Sequence, residues 1–231
     1  MNRPQTDRPP QTAAPQRLLS LDTLRGFDMF FIMGFAALVV SLCRLWPGGF
    51  SDWLIAQMGH AEWDGFFHHD TIFPLFLFIA GISFPFSLAK QRSKGTSERA
   101  ILAKIVRRGL TLVLLGLVYN GLFRLDFATL RLPSVLGRIG LAWMFAALLY
   151  MRFGLRTRIV LAAGILAAYS LVLHFVGAPD APGAGTLTLE GNIAGYIDRR
   201  IMPSHLYLDG FDPEGILSTF PAVVTAMLGM F

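Results

Sequence analysis

The sequence predicts an all-α fold, a polytopic bundle of transmembrane helices, and three observations predict it. Of 231 residues, 54% are hydrophobic and only 15% charged, whereas soluble domains carry about a quarter charged residues. The mean hydropathy is +0.53. The apolar residues are gathered into about six windows near the roughly 20 residues that cross the hydrocarbon of a bilayer. These are Phe27–Trp46, Thr71–Ala89, Ile105–Phe123, Pro133–Met151, Ile159–Gly177 and Gly215–Phe231. The net charge of +5 does not point to nucleic acid, because the basic residues lie in short loops between apolar windows. Cys43 is the single cysteine, so no disulfide or thiolate metal cluster forms within the chain.

Residues 1–16 are polar and proline-rich and are expected to be a disordered cytoplasmic tail. The remainder, 17–231, is expected to be one transmembrane domain. Its first apolar run is longer than a signal-peptide core and lacks a small-residue cleavage signature, so it is expected to stay as a span. Arg107 and Arg108 occupy the first turn of the third window and would snorkel to the interface. Most of the 20 Lys and Arg fall on one side: in the N-terminal segment, between Lys90 and Arg108, and between Arg152 and Arg158. The positive-inside rule then places the N-terminus in the cytoplasm and His60 at the outer face. Trp46, Trp53 and Trp63 share the first outer loop, the pattern of an interfacial aromatic belt. In the second outer region, Ile193, Ile197 and Ile201 share one helical face, with Arg199 and Arg200 off it. A short helix lying on the membrane surface is expected there. The final apolar run reaches Phe231 without a cap or basic tail, and the chain is expected to be the front part of a larger bundle.

Four stretches carry chemistry. In LSLDTLRGFDMF, Asp22 can cap a helix start and pair with Arg25, and Asp28 lies already in the apolar turns. The alternatives are a helix cap with a positive-inside anchor, or a cytoplasmic anion site. In GHAEWDG, His60 is the side chain whose free pKa suits proton transfer near neutrality. Asp70, directly before the second span, can cap that helix and also fix the imidazole tautomer. His68 and His69 are adjacent, so their rings diverge, and no metal site is expected. Arg138 lies a turn inside a span, where a charge costs roughly 2.5–3.5 kcal/mol; Asp28, Asp70 or a bound phosphate or carboxylate are its candidate partners. In FDPEGILSTFPAVV, Asp212, Pro213 and Glu214 form a helix-start signal. Ser218 and Thr219 ahead of Pro221 predict a helix bent beside a polar cavity.

LLSLDTLRGFDMFFIM, GHAEWDGFFHHDTIFPLFLFIAGISFPFSL, LPSVLGRIGLAWMFAALLY and FDPEGILSTFPAVVTAMLG follow one another from about Arg17 to the end of the chain. In that order and spacing they resemble the motifs of the heparan-alpha-glucosaminide N-acetyltransferase family. The resemblance implies a multi-pass acetyltransferase that takes acetyl from cytoplasmic acetyl-CoA and places it on an amino sugar or glycan across the membrane. It implies that His60 is the catalytic histidine of an H-A-x-W-x-G motif containing Trp63, with Asp70 the aspartate before F-P-x-F. Asp64 stands where the best-known members have asparagine, at a position expected to bear on the acceptor. Arg25 and the loop from Lys90 to Arg108 would hold the nucleotide phosphates, and Asp28, Arg138, Asp212, Glu214 and Ser218 would line the path for substrate or cofactor. The implied setting is a bacterial inner membrane, with the bilayer and the glycan acceptor as partners, no metal cofactor, and homo-oligomers left open. The acyltransferase-3 family also opens with an L-D-x-L-R-G-like start but places its histidine inside the first span, where this chain has none. A proton-coupled transporter using Asp28, Asp70 and Arg138 is the alternative from another class; a structural membrane subunit would leave the polar outer cluster unexplained.

Overall fold

A computed structural model describes residues 19–126, 129–202, 206–208 and 210–231. The expected tail at 1–16 lies outside them. The described residues form α1 (Leu19–Phe30), a π-helical turn (Phe31–Phe35), α2 (Ala36–Cys43), α3 (Gly49–Gln57) and a 3-10 turn (His68–Thr71). They continue with α4 (Ile72–Ser93), α5 (Glu98–Tyr119), α6 (Val135–Arg152), α7 (Leu155–Phe175), α8 (Ile193–Ile201) and α9 (Ile216–Met230). No strand appears among them beyond two isolated bridges, Gly177 with Asn192 and Leu208 with Phe211.

Four helical segments are long and apolar enough to cross a membrane: Leu19–Cys43, His68–Ser93, Val135–Arg152 and Leu155–Phe175. The chain is a multi-pass membrane protein, with about four spans rather than six. The window at Ile105–Phe123 falls in α5, which has the length, but Arg99, Lys104, Arg107 and Arg108 load its first half with charge. The last window becomes α9, an apolar helix of 15 residues, Ile216–Met230. The first span starts earlier than its apolar window, because Asp22, Arg25 and Asp28 are themselves helical. It is broken at Gly34, whose φ of 121° lies in a region that only glycine enters cheaply.

α4, α5, α6 and α9 share the core. Leu77, Phe84 and Leu88 of α4 meet Ile101 and Ile105 of α5, Trp143 of α6, and Val224 and Met227 of α9. Without hydrophobic exclusion between helices in lipid, such contacts depend on close packing of small residues. Gly81 of α4 faces Gly229 and the Ala226 backbone of α9, and Gly109 of α5 faces Gly140 of α6. α1 and α7 are peripheral: α1 buries Asp28 alone, and α7 buries Ala162 alone.

α8 packs against the start of α9 by a face that includes Ile193 but leaves the far end of the isoleucine stripe exposed. Ile193, Ala194, Gly195 and Asp198 are its buried residues, and Ile201 is 61% exposed. The reason is polar. Asp198 Oδ1 accepts from the Ile216 backbone N–H at 2.9 Å, satisfying a donor at the N-terminus of α9 that the helix itself cannot satisfy. Burial pushes the Asp198 carboxyl up to about 6, against the opposing pull of that N–H. With a folded pKa above the unfolded carboxylate value, its stabilising contribution is complete below the unfolded value and is lost as pH rises through about 6. Asp198→Asn keeps an acceptor for Ile216 without the charge. The expected result is higher thermal stability near pH 7.5 and a flatter stability profile between about pH 4 and 6. A variant with the wild-type pH profile would show that Asp198 does not titrate there.

Candidate active site

His60 follows α3 in an exposed loop, and its Nδ1 lies 2.6 Å from Asp70 Oδ1. Asp70 sits in the 3-10 turn that starts the second span, where its Oδ2 accepts from the Phe67 N–H at 2.8 Å. The carboxylate therefore caps the turn with one oxygen and holds the imidazole with the other, so the two roles expected of it coexist. An ionised carboxylate only accepts hydrogen bonds, so Nδ1 must carry the proton. The neutral ring then presents Nε2 as a base or nucleophile. The adjacent histidines diverge. His68 packs on Phe31 of the first span at 4.9 Å between ring centroids, and His69 meets the His60 ring at 4.8 Å.

Trp63 is a strut. Its Nε1 donates to the Leu187 carbonyl at 2.8 Å, and its ring stands edge-on to Phe211 at 5.1 Å. It thereby ties the histidine loop to the segment that leads into α9. Asp64 is exposed in the same loop. Trp46 and Trp53 are exposed.

The α9 approach is organised by Arg131, which sequence reasoning did not single out. Its guanidinium grips Asp212 with two bonds, Nε to Oδ2 at 2.7 Å and Nη2 to Oδ1 at 2.6 Å, and also bonds Glu214. Tyr207 lies under it, 4.9 Å to the ring centroid. Burial would raise the fully buried Asp212, but the Arg131 fork outweighs it and holds the carboxyl below its ordinary value. For Glu214, burial prevails, and the neighbouring Asp212 charge adds to it despite Arg131, so its carboxyl is raised.

Arg138 pairs with neither Asp28 nor Asp70. It donates to the backbone carbonyls of Pro213 at 2.6 Å and Ser218 at 2.9 Å, and it stacks over Phe73 of α4 at 5.0 Å. The Pro213 carbonyl, just ahead of α9, and the Ser218 carbonyl, in its first turn, take the place of the expected carboxylate. Ser218 Oγ also bonds the Pro213 and Gly215 carbonyls, so its hydroxyl is turned onto the start of α9, and Ser218 does not line the adjoining cavity. The adjoining cavity, about 460 Å³, is mainly apolar rather than polar; Ser134, Arg138, Glu214 and Thr219 are its polar lining.

At the other end of α4 a second cavity of about 170 Å³ brings together Arg25, Lys104 and Arg108 with Ser83, Ser87 and Gln91, and no carboxylate lines it. Arg25 bonds Ser83 Oγ, Lys104 Nζ donates to Gln91 at 3.2 Å, and Arg108 lies over the Trp143 ring at 4.4 Å. Asp28, one turn beyond Arg25, is 1% exposed, and neither carboxylate oxygen has a hydrogen-bond partner. The expected site residues thus separate into two groups. His60, Trp63, Asp64, Asp70, Arg138, Asp212, Glu214 and Ser218 gather where α4, α6 and α9 begin. Arg25 belongs to the opposite end, and Asp28 lies between them on the first span.

No family model matches the chain. Among known proteins it is similar to human heparan-alpha-glucosaminide N-acetyltransferase, with 28% identity over 267 residues, covering 95% of this chain and 38% of that protein. It is likewise similar to the mouse protein of that name, with 28% identity over 274 residues, 97% of this chain and 40% of the relative. The chain spans about two fifths of the length of these relatives.

Proposed function

We propose, from this likeness to the heparan-alpha-glucosaminide N-acetyltransferases, that the chain carries the acetyl-transfer centre of a membrane-embedded N-acetyltransferase. Acetyl-CoA is the donor, and the amino group of an amino sugar is the acceptor. The observation that carries the reading is the 2.6 Å pair of His60 and Asp70, with Nε2 left free. In the transfer, the thioester C–S bond breaks and an amide C–N bond forms. His60 Nε2 takes the amine proton, which ends on the departing thiol. The same nitrogen can first accept the acetyl group as an acyl-imidazole and then deliver it. Asp70 stabilises the imidazolium in the first route and orients the ring in both.

The basic cavity suits the donor. Three cations with serine and glutamine partners and no lining carboxylate offer the charge-assisted bonds that phosphates take. Ser83 lies 13 residues along α4 from Asp70, about 20 Å at 1.5 Å per residue. A long flexible arm would therefore connect phosphates held there to a thioester at His60. With the N-terminus in the cytoplasm of a bacterial inner membrane, the donor would enter from inside and the acceptor from outside.

The test is transfer of label from acetyl-CoA to glucosamine by membranes containing the chain; sugar uptake without acetylation would favour a transporter instead. Lys104→Ala is expected to raise the KM for acetyl-CoA by about tenfold, the worth of one charge-assisted bond, with little change in kcat. An unchanged KM would remove the cavity from the donor path.

A further inference from the structure

We propose that the 460 Å³ apolar cavity between α6, α7 and α9 holds the hydrocarbon tail of the acceptor, so that the amino sugar acetylated by this chain is carried on a membrane lipid. This rests on the acetyltransferase reading and names its acceptor class.

The cavity has a polar end and an apolar depth. Ser134, Arg138 and Glu214 line it where α6 and α9 begin, and Phe145, Leu149 and Ile165 line it further along. Along α6, the lining runs from Ser134 to Leu149, 15 residues or about 22 Å of helix. This depth is about three-quarters of a hydrocarbon core of roughly 30 Å. A free saccharide would find no hydrogen-bond partners over most of that length and would lose those it had in water. An alkyl or isoprenoid chain loses nothing there. Phe145 and Phe220, on its wall, are exposed at the bundle surface, so the cavity opens sideways, the direction from which a lipid arrives.

The polar end offers partners. Arg138 donates to the Pro213 and Ser218 carbonyls and lines the cavity together with Ser134 and Glu214. The oxygens that link a sugar to its tail are acceptors for the guanidinium and the hydroxyl there. From there the sugar is directed toward the catalytic pair: the Arg138 guanidinium stacks on Phe73, three residues after Asp70. The chemistry is unchanged by the tail. The thioester C–S bond breaks, the C–N bond forms, and the amine proton passes through His60 to the thiol.

The test uses the chain in lipid nanodiscs with three probes: free glucosamine, dodecyl glucosaminide, and a dodecyl glucosaminide carrying a diazirine in the tail. The kcat/KM for dodecyl glucosaminide is expected to exceed that for glucosamine by at least about tenfold, the effect of burying two methylenes. The photoprobe is expected to label α6, α7 and α9 at residues of the cavity, in competition with dodecyl glucosaminide but not with glucosamine. Ile165→Trp, which narrows the apolar part of the cavity, is expected to lower the ratio of the two kcat/KM values and to weaken the labelling. Equal kcat/KM values in the unmodified chain, or labelling confined to other helices, would overturn the proposal. So would labelling by a diazirine phosphatidylglycerol that excess dodecyl glucosaminide does not displace, since ordinary bilayer lipid would then own the cavity. If neither acceptor is acetylated, the acetyltransferase reading fails. Competitive labelling in the cavity would in that case still support the tail site, and its absence would end it.

Discussion

His60→Ala is expected to lower acetyl transfer by about 10²–10⁴-fold, the range that a positioned acid–base group contributes. Nothing structural should accompany the loss. His60 is in an exposed loop, and among the described residues its polar partner is Asp70, which keeps its bond to the Phe67 N–H. The variant should therefore solubilise and melt like the parent. Asp70→Asn separates the two jobs of the carboxylate. Its side-chain oxygen can still accept from Phe67. Its amide no longer selects the tautomer with the proton on Nδ1, so Nε2 is no longer reliably the free nitrogen. Activity should fall nearly as far as in His60→Ala, while the fold persists. The double variant should be no worse than the worse single one, because the two residues act as a unit. Wild-type turnover in His60→Ala would end both the general-base and the acyl-imidazole routes. Additive losses in the double variant would show that Asp70 acts elsewhere.

The parts of this site that were legible in the sequence are those built over short distances. His60 and Asp70 are ten residues apart, and the choice of residue types, a histidine in a glycine-flanked loop and an aspartate at a helix start, already limits what they can do. Arg131 was missed because its partner Asp212 is 81 residues away and nothing local marks it. Arg138 was recognised as costly, but its partners were not, since backbone carbonyls at a helix start leave no trace in residue identity. The helical fold followed from apolar windows, yet the number of spans did not. Four helices meet the length and hydropathy that a span requires, and the charged first half of α5 keeps it out of that count. On α8, periodicity found an apolar stripe, but a buried carboxylate at Asp198 rotated the helix to serve Ile216.

Gly81→Leu is expected to destabilise the bundle by about 3 kcal/mol or more, at the upper end for overpacking, and to abolish activity although Gly81 touches no reacting group. A Cβ at Gly81 would run into the Ala226 carbonyl and approach the Gly229 Cα to 3.1 Å. These are backbone atoms and no rotamer change can move them aside, so α4 and α9 must separate. Gly229 makes the reciprocal contact, since its Cβ would meet the Phe78 carbonyl and come within 2.9 Å of the Ile82 nitrogen. The crossing lies 11 residues from Asp70 on α4, about 16 Å at 1.5 Å per residue. Separation there tilts the ends of both helices, and those ends carry the chemistry. Asp70 and Phe73 open α4, and the carbonyls that hold Arg138 open α9. Loss of the glycine contact should thus break the stacking of Arg138 on Phe73 before it unfolds either helix. The expected order is Gly81→Ala milder than Gly81→Leu, both in the melting temperature of the detergent-solubilised chain and in acetyl transfer. Gly26→Ala is the control, because a Cβ there meets nothing within 4 Å. If Gly81→Leu melted like the parent and kept its activity, the close approach of α4 and α9 would not set the site, and Arg138 would have to be held by contacts within α6 alone.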